Sequence, residues 1–331
     1  MIGLLSFGCS TPERIADQAP KLPPPPPQPY VRVSNSNSNL IQLQIAVRKF
    51  TPARRSGPVI WLAGVSHIGE TNYYAALQKQ LDAQTLVLFE GIGAAEGTDR
   101  SQETESASTA NVAQSNRTET RASLQTSLAA ALGLVFQLEA IDYNRVNFRN
   151  SDLSVSQLRD LLARQETPAG APKAQTSFEG LLQMMEGGTW LDSLVHLGLR
   201  FLGANPKFQA MGRLAMIELL GQIQGDPANL GNLPPDLKQL LDVLLLRRNE
   251  KVMADLKSAL RDLPTQGSVA VFYGTGHMPD MEQRLRAELN YSPAGEVWLT
   301  AFAVDLAKSG VTAPERDFIS NLVQKQLKQM Q

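Results

Sequence analysis

The chain has 331 residues, enough for one or two domains. Hydrophobic residues make up 43% and charged residues 19%, which excludes a wholly disordered, collagen-like or coiled-coil chain. Lys and Arg (31) balance Asp and Glu (32) to a net charge of −1, so no basic field exists to capture nucleic acid, and a single cysteine excludes an internal disulfide or a cysteine zinc site.

Residues 1–9 read MIGLLSFGC, a short apolar stretch ending in small residues and Cys9. It is similar to the tail of a bacterial lipoprotein signal, in which the cysteine carries the lipid. Ser6 and Phe7 depart from that pattern, and no Lys or Arg precedes the apolar part. Pro12, Pro20, Pro23 to Pro27 and Pro29 follow, a run that adopts extended polyproline II and acts as a semi-rigid stalk. Ser34 to Asn39 (SNSNSN) is expected to be a flexible tract. Residues 1–39 are therefore expected to be anchor and stalk, and 40–331 the folded domain. This arrangement suits a membrane-anchored lipoprotein of the cell envelope; a cytoplasmic protein with a disordered arm is the alternative. No apolar run reaches the roughly 18 residues of a spanning helix.

Within the body, Ile41, Leu43, Ile45 and Val47 alternate with smaller or polar residues, the mark of a half-buried strand. Val59 to Ala63 (VIWLA), Thr85 to Phe89 (TLVLF) and Ser268 to Tyr273 (SVAVFY) are continuous apolar runs, expected of strands covered on both faces. Tyr73, Leu77 and Leu81 share one face of a helix predicted from about Glu70 to Leu81. Residues 92–121 are polar and read as a mobile insertion. Leu124 to Leu134 reads as a helix, Gln137 to Asp142 (QLEAID) as a strand, and Ser151, Asp152 or Ser154 as the cap of a helix reaching about Leu162. Residues 177–262 form a helical block. Its last and longest helix is predicted from Pro235–Asp236 to about Leu263. A strand at Glu296 to Val304 and a helix at Pro314 to Met330 complete the chain. Strands alternating with helices predict an α/β fold: a central mixed sheet flanked by helices, with a helical block inserted between strands.

Two segments share one plan. VIWLA leads into Gly64-x-x-His67 and VAVFY into Gly274-x-x-His277, each followed by a helix. Glu90 occupies the equivalent place after TLVLF. Three strands thus deliver His67, Glu90 and His277 to the C-terminal edge of the sheet, where ligands of open α/β sheets bind. The glycines are expected to permit tight turns there. Two imidazoles and a carboxylate suit a divalent ion such as Zn²⁺, Mn²⁺ or Co²⁺, which polarises a carbonyl and acidifies a bound water. A histidine after a strand also serves simply to cap a helix. The third histidine, His196, lies on a helical pattern and reads as core or surface.

Arg248 interrupts an apolar stripe of Leu241, Leu245, Val252 and Leu256 on the long helix, with Asn249 beside it. A permanent cation facing the core is costly unless paired. Arg248 is expected to reach a carboxylate at the sheet edge or the oxyanion of a substrate, or else to extend its head to solvent.

The segments GVSHIGETNYYAALQKQL, TLVLFEG, RRNEKVM and VAVFYGTGHMPDMEQRL resemble the TraB/TIKI/PrgY family over about residues 55–305. That family is marked by two Gly-x-x-His motifs, a Glu after a strand and an Arg-Asn pair on a helix. The resemblance implies a fold related to the erythromycin-esterase-like and ChaN-like proteins. It also implies a metal-dependent hydrolase of peptide bonds, with His67, Glu90 and His277 holding the metal or its water and Arg248 and Asn249 orienting the carboxylate or the substrate carbonyl. Whether Glu90 ligates or acts as general base stays open. Glu70, Tyr143 and Asn144 are outer candidates. The partner is then a peptide or small-molecule substrate, with the membrane reached through lipid on Cys9. The alternatives are an envelope protein that binds haem or a peptide without catalysis, and a metal-independent esterase with a histidine base.

Overall fold

The computed structural model describes residues 26–37, 39–53, 56–91, 124–164, 176, 178–180, 203–222 and 235–330. Cys9, the stalk up to residue 25, the 92–121 insertion, His196 and the parts 181–202 and 223–234 of the helical block lie outside the described residues.

Nine strands are present among the described residues: β1 (Val31–Asn37), β2 (Leu40–Pro52), β3 (Val59–Val65), β4 (Ile68–Gly69), β5 (Leu86–Phe89), β6 (Val135–Phe136), β7 (Phe148–Asn150), β8 (Ser268–Gly274) and β9 (Tyr291–Asp305). Seven form one mixed sheet in the order β1-β2-β3-β8-β5-β7, with β9 on the other edge of β2. Leu43 pairs with Val33 on one side and Phe302 on the other, so β1 and β3 lie end to end along one edge of β2. β3, β8, β5 and β7 are parallel, and their C-terminal ends share one edge. β4 and β6 make a separate antiparallel pair just beyond that edge.

The sheet is covered on both faces, as the continuous apolar runs require. Ile41, Leu43, Ile45 and Val47 join Val87, Ala270 and Phe272 in one core cluster, closed by Tyr73, Leu77 and Leu81 of the helix Thr71–Asp82 and by Leu214 and Ile217 of the helix Pro206–Gln222. Ile60, Leu62, Val271 and Tyr273 form the opposite cluster with Val252 and Leu256 of the helix Arg248–Asp262 and Met281 and Leu285 of the helix Met278–Glu288. Burying one Leu of this kind stabilises the fold by about 1.5–3 kcal/mol.

Three expectations are corrected. The tract expected to be flexible from Ser34 is, through Asn37, part of β1 paired with β2, and its polar pattern reflects an edge strand with Arg32, Val33 and Asn35 facing water; Ser38 lies outside the described residues. The folded body therefore begins before Leu40. Arg48, 3% exposed, takes the carbonyls of Gln28 and Pro29 at 3.2 Å each, and Tyr30 Oη donates to Glu282 at 2.7 Å. QLEAID is not a strand: Gln137–Ala140 is a four-residue helix, and the parallel strand on β5 is β7. The long helix is not uniform. Pro235–Leu241 is α-helical, Asp242–Arg247 is a π turn and Arg248–Asp262 is α-helical again. A π turn adds one residue per turn and shifts the buried face. The buried residues run Leu240 before it, Val243 within it, and Arg248, Asn249, Val252 and Leu256 after it. Leu241 and Leu245 fall off the stripe.

Glu282 is fully buried against Arg48, 2.6 Å away, and ties the N-terminal segment to the sheet. Glu282→Ala leaves that guanidinium with only the partly exposed Glu296, 2.9 Å away, and strips Tyr30 Oη of its buried acceptor. The expected loss is about 3–5 kcal/mol, read as a lowered urea midpoint.

Candidate active site

The C-terminal ends of the parallel strands supply the site. Glu90 follows β5, His67 follows β3 and His277 closes the 3₁₀ turn Thr275–His277 after β8. They meet. His277 Nε2 lies 3.8 Å from Glu90 Oε1. A Cβ placed on Gly274 would stand 3.4 Å from both Glu90 Oε2 and His67 Nε2. Gly274 thus floors a gap that Glu90 and His67 flank.

Arg248 binds the cluster from the helix side. Its Nη2 donates to Glu90 Oε1 at 2.6 Å and to Asp152 Oδ2 at 2.7 Å, and its Nε donates to Asp152 Oδ1 at 2.9 Å. Nη1 faces the Leu244 carbonyl at 3.2 Å and His277 Nε2 at 3.5 Å. All five guanidinium N–H groups are therefore spent within the protein. Of the outcomes open to Arg248, the structure gives the carboxylate, and gives two of them. Asp152 is one of three residues, with Ser151 and Ser154, that the sequence offers as the cap of the next helix. The cap is Ser154, in a capping box with Gln157. Asp152 instead accepts from Gly91 N–H at 3.0 Å and from Arg248. Its position after β7 was the available signal, hidden because β7 spans only three residues.

Asn249 does not face the gap. It is fully buried, its Nδ2 donates to Asp280 Oδ2 at 2.8 Å, and its Oδ1 faces His277 Nδ1 at 2.7 Å. With Nδ2 fixed as donor by the Asp280 carboxylate, Oδ1 accepts and His277 carries its proton on Nδ1. Nε2 keeps the lone pair, which faces Arg248. His67 is held alike by Gln137, whose Oε1 lies 2.8 Å from Nδ1. The two imidazoles differ in access: His277 is 4% exposed, whereas His67 is open to solvent.

The glycines serve neither as turns nor in the same way. Both lie inside strands, and neither is among the glycines with positive φ. Gly64 pairs with Tyr273 and Gly274 with Val65, so the two motif copies are slipped by one residue in the sheet. A one-residue slip turns side chains to opposite faces. A Cβ on Gly64 would meet Thr275 Cγ2 at 3.0 Å and the Ala46 carbonyl at 3.3 Å, so Gly64 permits close packing. Gly274 keeps the gap open.

The outer candidates fall elsewhere. Glu70 accepts from Ala303 N–H at 3.3 Å and pairs with Arg213 at 3.2 Å, tying the start of its helix to β9. Asn144 is exposed in a turn, its N–H bonded to Asp142. Tyr143 is near the site: its ring packs on Phe89, Phe148 and Phe272, and its Oη accepts from Gln137 Nε2 at 2.8 Å.

Burial alone would raise the Glu90 carboxyl. The adjoining His277 and Arg248, then His67 and the Gly274 N–H at 2.7 Å, overcome it and hold the pKa at about 2. Burial pushes His277 down to about 4 against the opposing pull of Glu90. Burial lowers Arg248, but Asp152 and Glu90 more than reverse this and keep it a permanent cation. Tyr143 is raised to about 12, chiefly by burial.

Among the described residues no group of three or more His, Cys, Asp and Glu side chains is placed to hold one metal ion. The reason lies in the partners. Arg248 stands against the His277 lone pair, and both Glu90 oxygens accept N–H groups, so this arrangement does not fit a three-ligand cage. No family model, curated protein or solved structure matches the chain.

His277 sets a pH window. Its folded pKa of about 4 lies below the ordinary 6.5, so the unfolded chain alone takes up that proton between those values. Stability from this group is complete above pH 6.5, falls as pH drops to about 4 and is constant below. Between pH 7 and 4, wild type should lose about 3 kcal/mol more than His277→Gln, measured by urea denaturation at each pH.

Proposed function

We propose that the sheet-edge cluster is a hydrolytic centre for ester or peptide bonds in which neutral His67 is the general base. The observation that supports this best is that the Nε2 of solvent-exposed His67 and the Oε2 of ionised Glu90 both lie 3.4 Å from where a Cβ on Gly274 would stand. With Nδ1 committed to Gln137, the Nε2 lone pair is directed at that gap. A water there donates one proton to His67 and attacks the substrate carbonyl; the imidazolium then returns the proton to the leaving group. Glu90, held ionised by Arg248, is a weak base and instead stabilises the imidazolium. Arg248 and Asp152, backed by His277 and Asn249, hold Glu90 in place, and Gln137 holds His67. Peptide bonds are the substrate class that the resemblance to the TraB/TIKI/PrgY proteins supports.

A divalent-metal hydrolase is the second reading. It is favoured by the amide oxygen on Nδ1 of both imidazoles, an arrangement that also orients metal-ligating histidines. In that reading His67, Glu90 and His277 would hold Mn²⁺, Co²⁺ or Zn²⁺ only once Arg248 has left both Glu90 and the His277 lone pair. The metal would polarise the carbonyl and acidify the attacking water.

Cleavage of a fluorogenic peptide library and of nitrophenyl esters tests both. The first reading expects hydrolysis that survives chelator and falls by at least about 100-fold in His67→Gln. Hydrolysis unchanged in His67→Gln ends it; activity restored only by added Mn²⁺, Co²⁺ or Zn²⁺ selects the second. Gly274→Ala is compatible with the local φ of −50° and fills the gap at ordinary contact distance, so it should fold with an unchanged melting temperature yet lose activity.

A further inference from the structure

Gln137 is the polar residue at the sheet edge that no motif contains. It is 4% exposed and grips His67 twice. Its backbone N–H donates to the His67 carbonyl at 2.8 Å, and its Oε1 lies 2.8 Å from His67 Nδ1. Its Nε2 donates to Tyr143 Oη at 2.8 Å, on the side of the amide away from the imidazole. The grip is built rather than incidental. β4 begins one residue after His67 and pairs with β6, which ends one residue before Gln137, so Ile68 opposite Phe136 fixes the approach of the two side chains.

We infer that Gln137 is the positioning residue for His67: it fixes the proton on Nδ1 and leaves the Nε2 lone pair facing the gap above Gly274. The inference rests on His67 acting as base. An imidazole free at Nδ1 populates both tautomers and rotates; only the Nδ1–H form presents a lone pair at Nε2. Asn249 holds His277 in the same tautomer, so the two imidazoles are locked by equivalent amides from different parts of the chain. Among the described residues the exposed His67 ring has Gln137 as its one side-chain hydrogen-bond partner, so its orientation depends on Gln137 more than that of buried His277 depends on any one partner.

The test reads the tautomer directly. Long-range ¹H–¹⁵N spectra of the full chain distinguish Nδ1–H from Nε2–H imidazole, with the three histidines assigned through His67→Gln and His277→Gln. Wild type should show His67 as Nδ1–H. Gln137→Met should convert it to a mixture or to Nε2–H, and lower kcat by about 10–100-fold with little change in KM. Gln137→Glu keeps an acceptor on Nδ1. It should retain the tautomer and recover kcat at high pH, with the acid limb of the profile moved upward because the added negative charge favours the imidazolium. A wild-type tautomer that persists in Gln137→Met overturns the positioning role, whatever the activity. A converted tautomer with unchanged kcat overturns it as well. Loss of the hydrolytic reading alone would appear instead as full activity in His67→Gln, with the tautomer result unaffected.

Discussion

A guanidinium buried between two carboxylates is the constraint on which the sheet edge depends. Removing Arg248 from water costs several kcal/mol, and only near-complete pairing offsets it. That pairing draws on the whole edge: Glu90 beyond β5, Asp152 beyond β7, the Leu244 carbonyl in the π turn and His277 beyond β8. None of these can move far without leaving a buried N–H or an excess charge unsatisfied. The π turn belongs to the same solution. By shifting the helix one residue, it presents Arg248 and Asn249 together to the sheet, so adjacent residues serve Glu90 and His277 at once.

Much of this edge was legible in the sequence, for a simple physical reason. A strand buried on both faces is a continuous apolar run, and a polar residue directly after it stands at the sheet edge. His67, Glu90 and His277 are all of that kind. Arg248 was visible as a cation in an apolar stripe, and its pairing follows from the cost of leaving it alone. Asp152 escaped because β7 is three residues of mixed polarity, FRN, with no apolar run to announce it. Gln137 escaped because a two-residue strand pair brings it to His67, and pairing across about 70 residues leaves no local trace. β1 escaped because an edge strand facing water has the composition of a loop.

The repeated Gly-x-x-His motif shows where sequence symmetry and structural symmetry part. Register between parallel strands is set by the packing of the whole sheet, and here it slips the copies by one residue. The slip sends Gly64 to a tight contact and Gly274 to the floor of the gap, and it is followed by different exits: β4 after His67, a 3₁₀ turn after His277. One imidazole is left open to solvent and the other is sealed behind Arg248. The same motif therefore yields one imidazole exposed to solvent and one buried among its neighbours.

The charge balance of the cluster joins these points. Two carboxylates against one guanidinium leave one excess negative charge beside His67, and His277 is neutral at pH 7 because burial holds its pKa near 4. Glu90 stays ionised down to about pH 2, so its charge does not vary over the range in which an ordinary imidazole titrates. A proton gained by His67 meets a full and fixed negative charge, with no reorganisation of the surrounding dipoles at that moment. In the proposed reading Arg248, with every N–H committed to the protein, serves His67 only through Glu90. The cation itself opposes a proton on a neighbouring imidazole, as it does at His277, so its contribution is the ionised carboxylate that it keeps there.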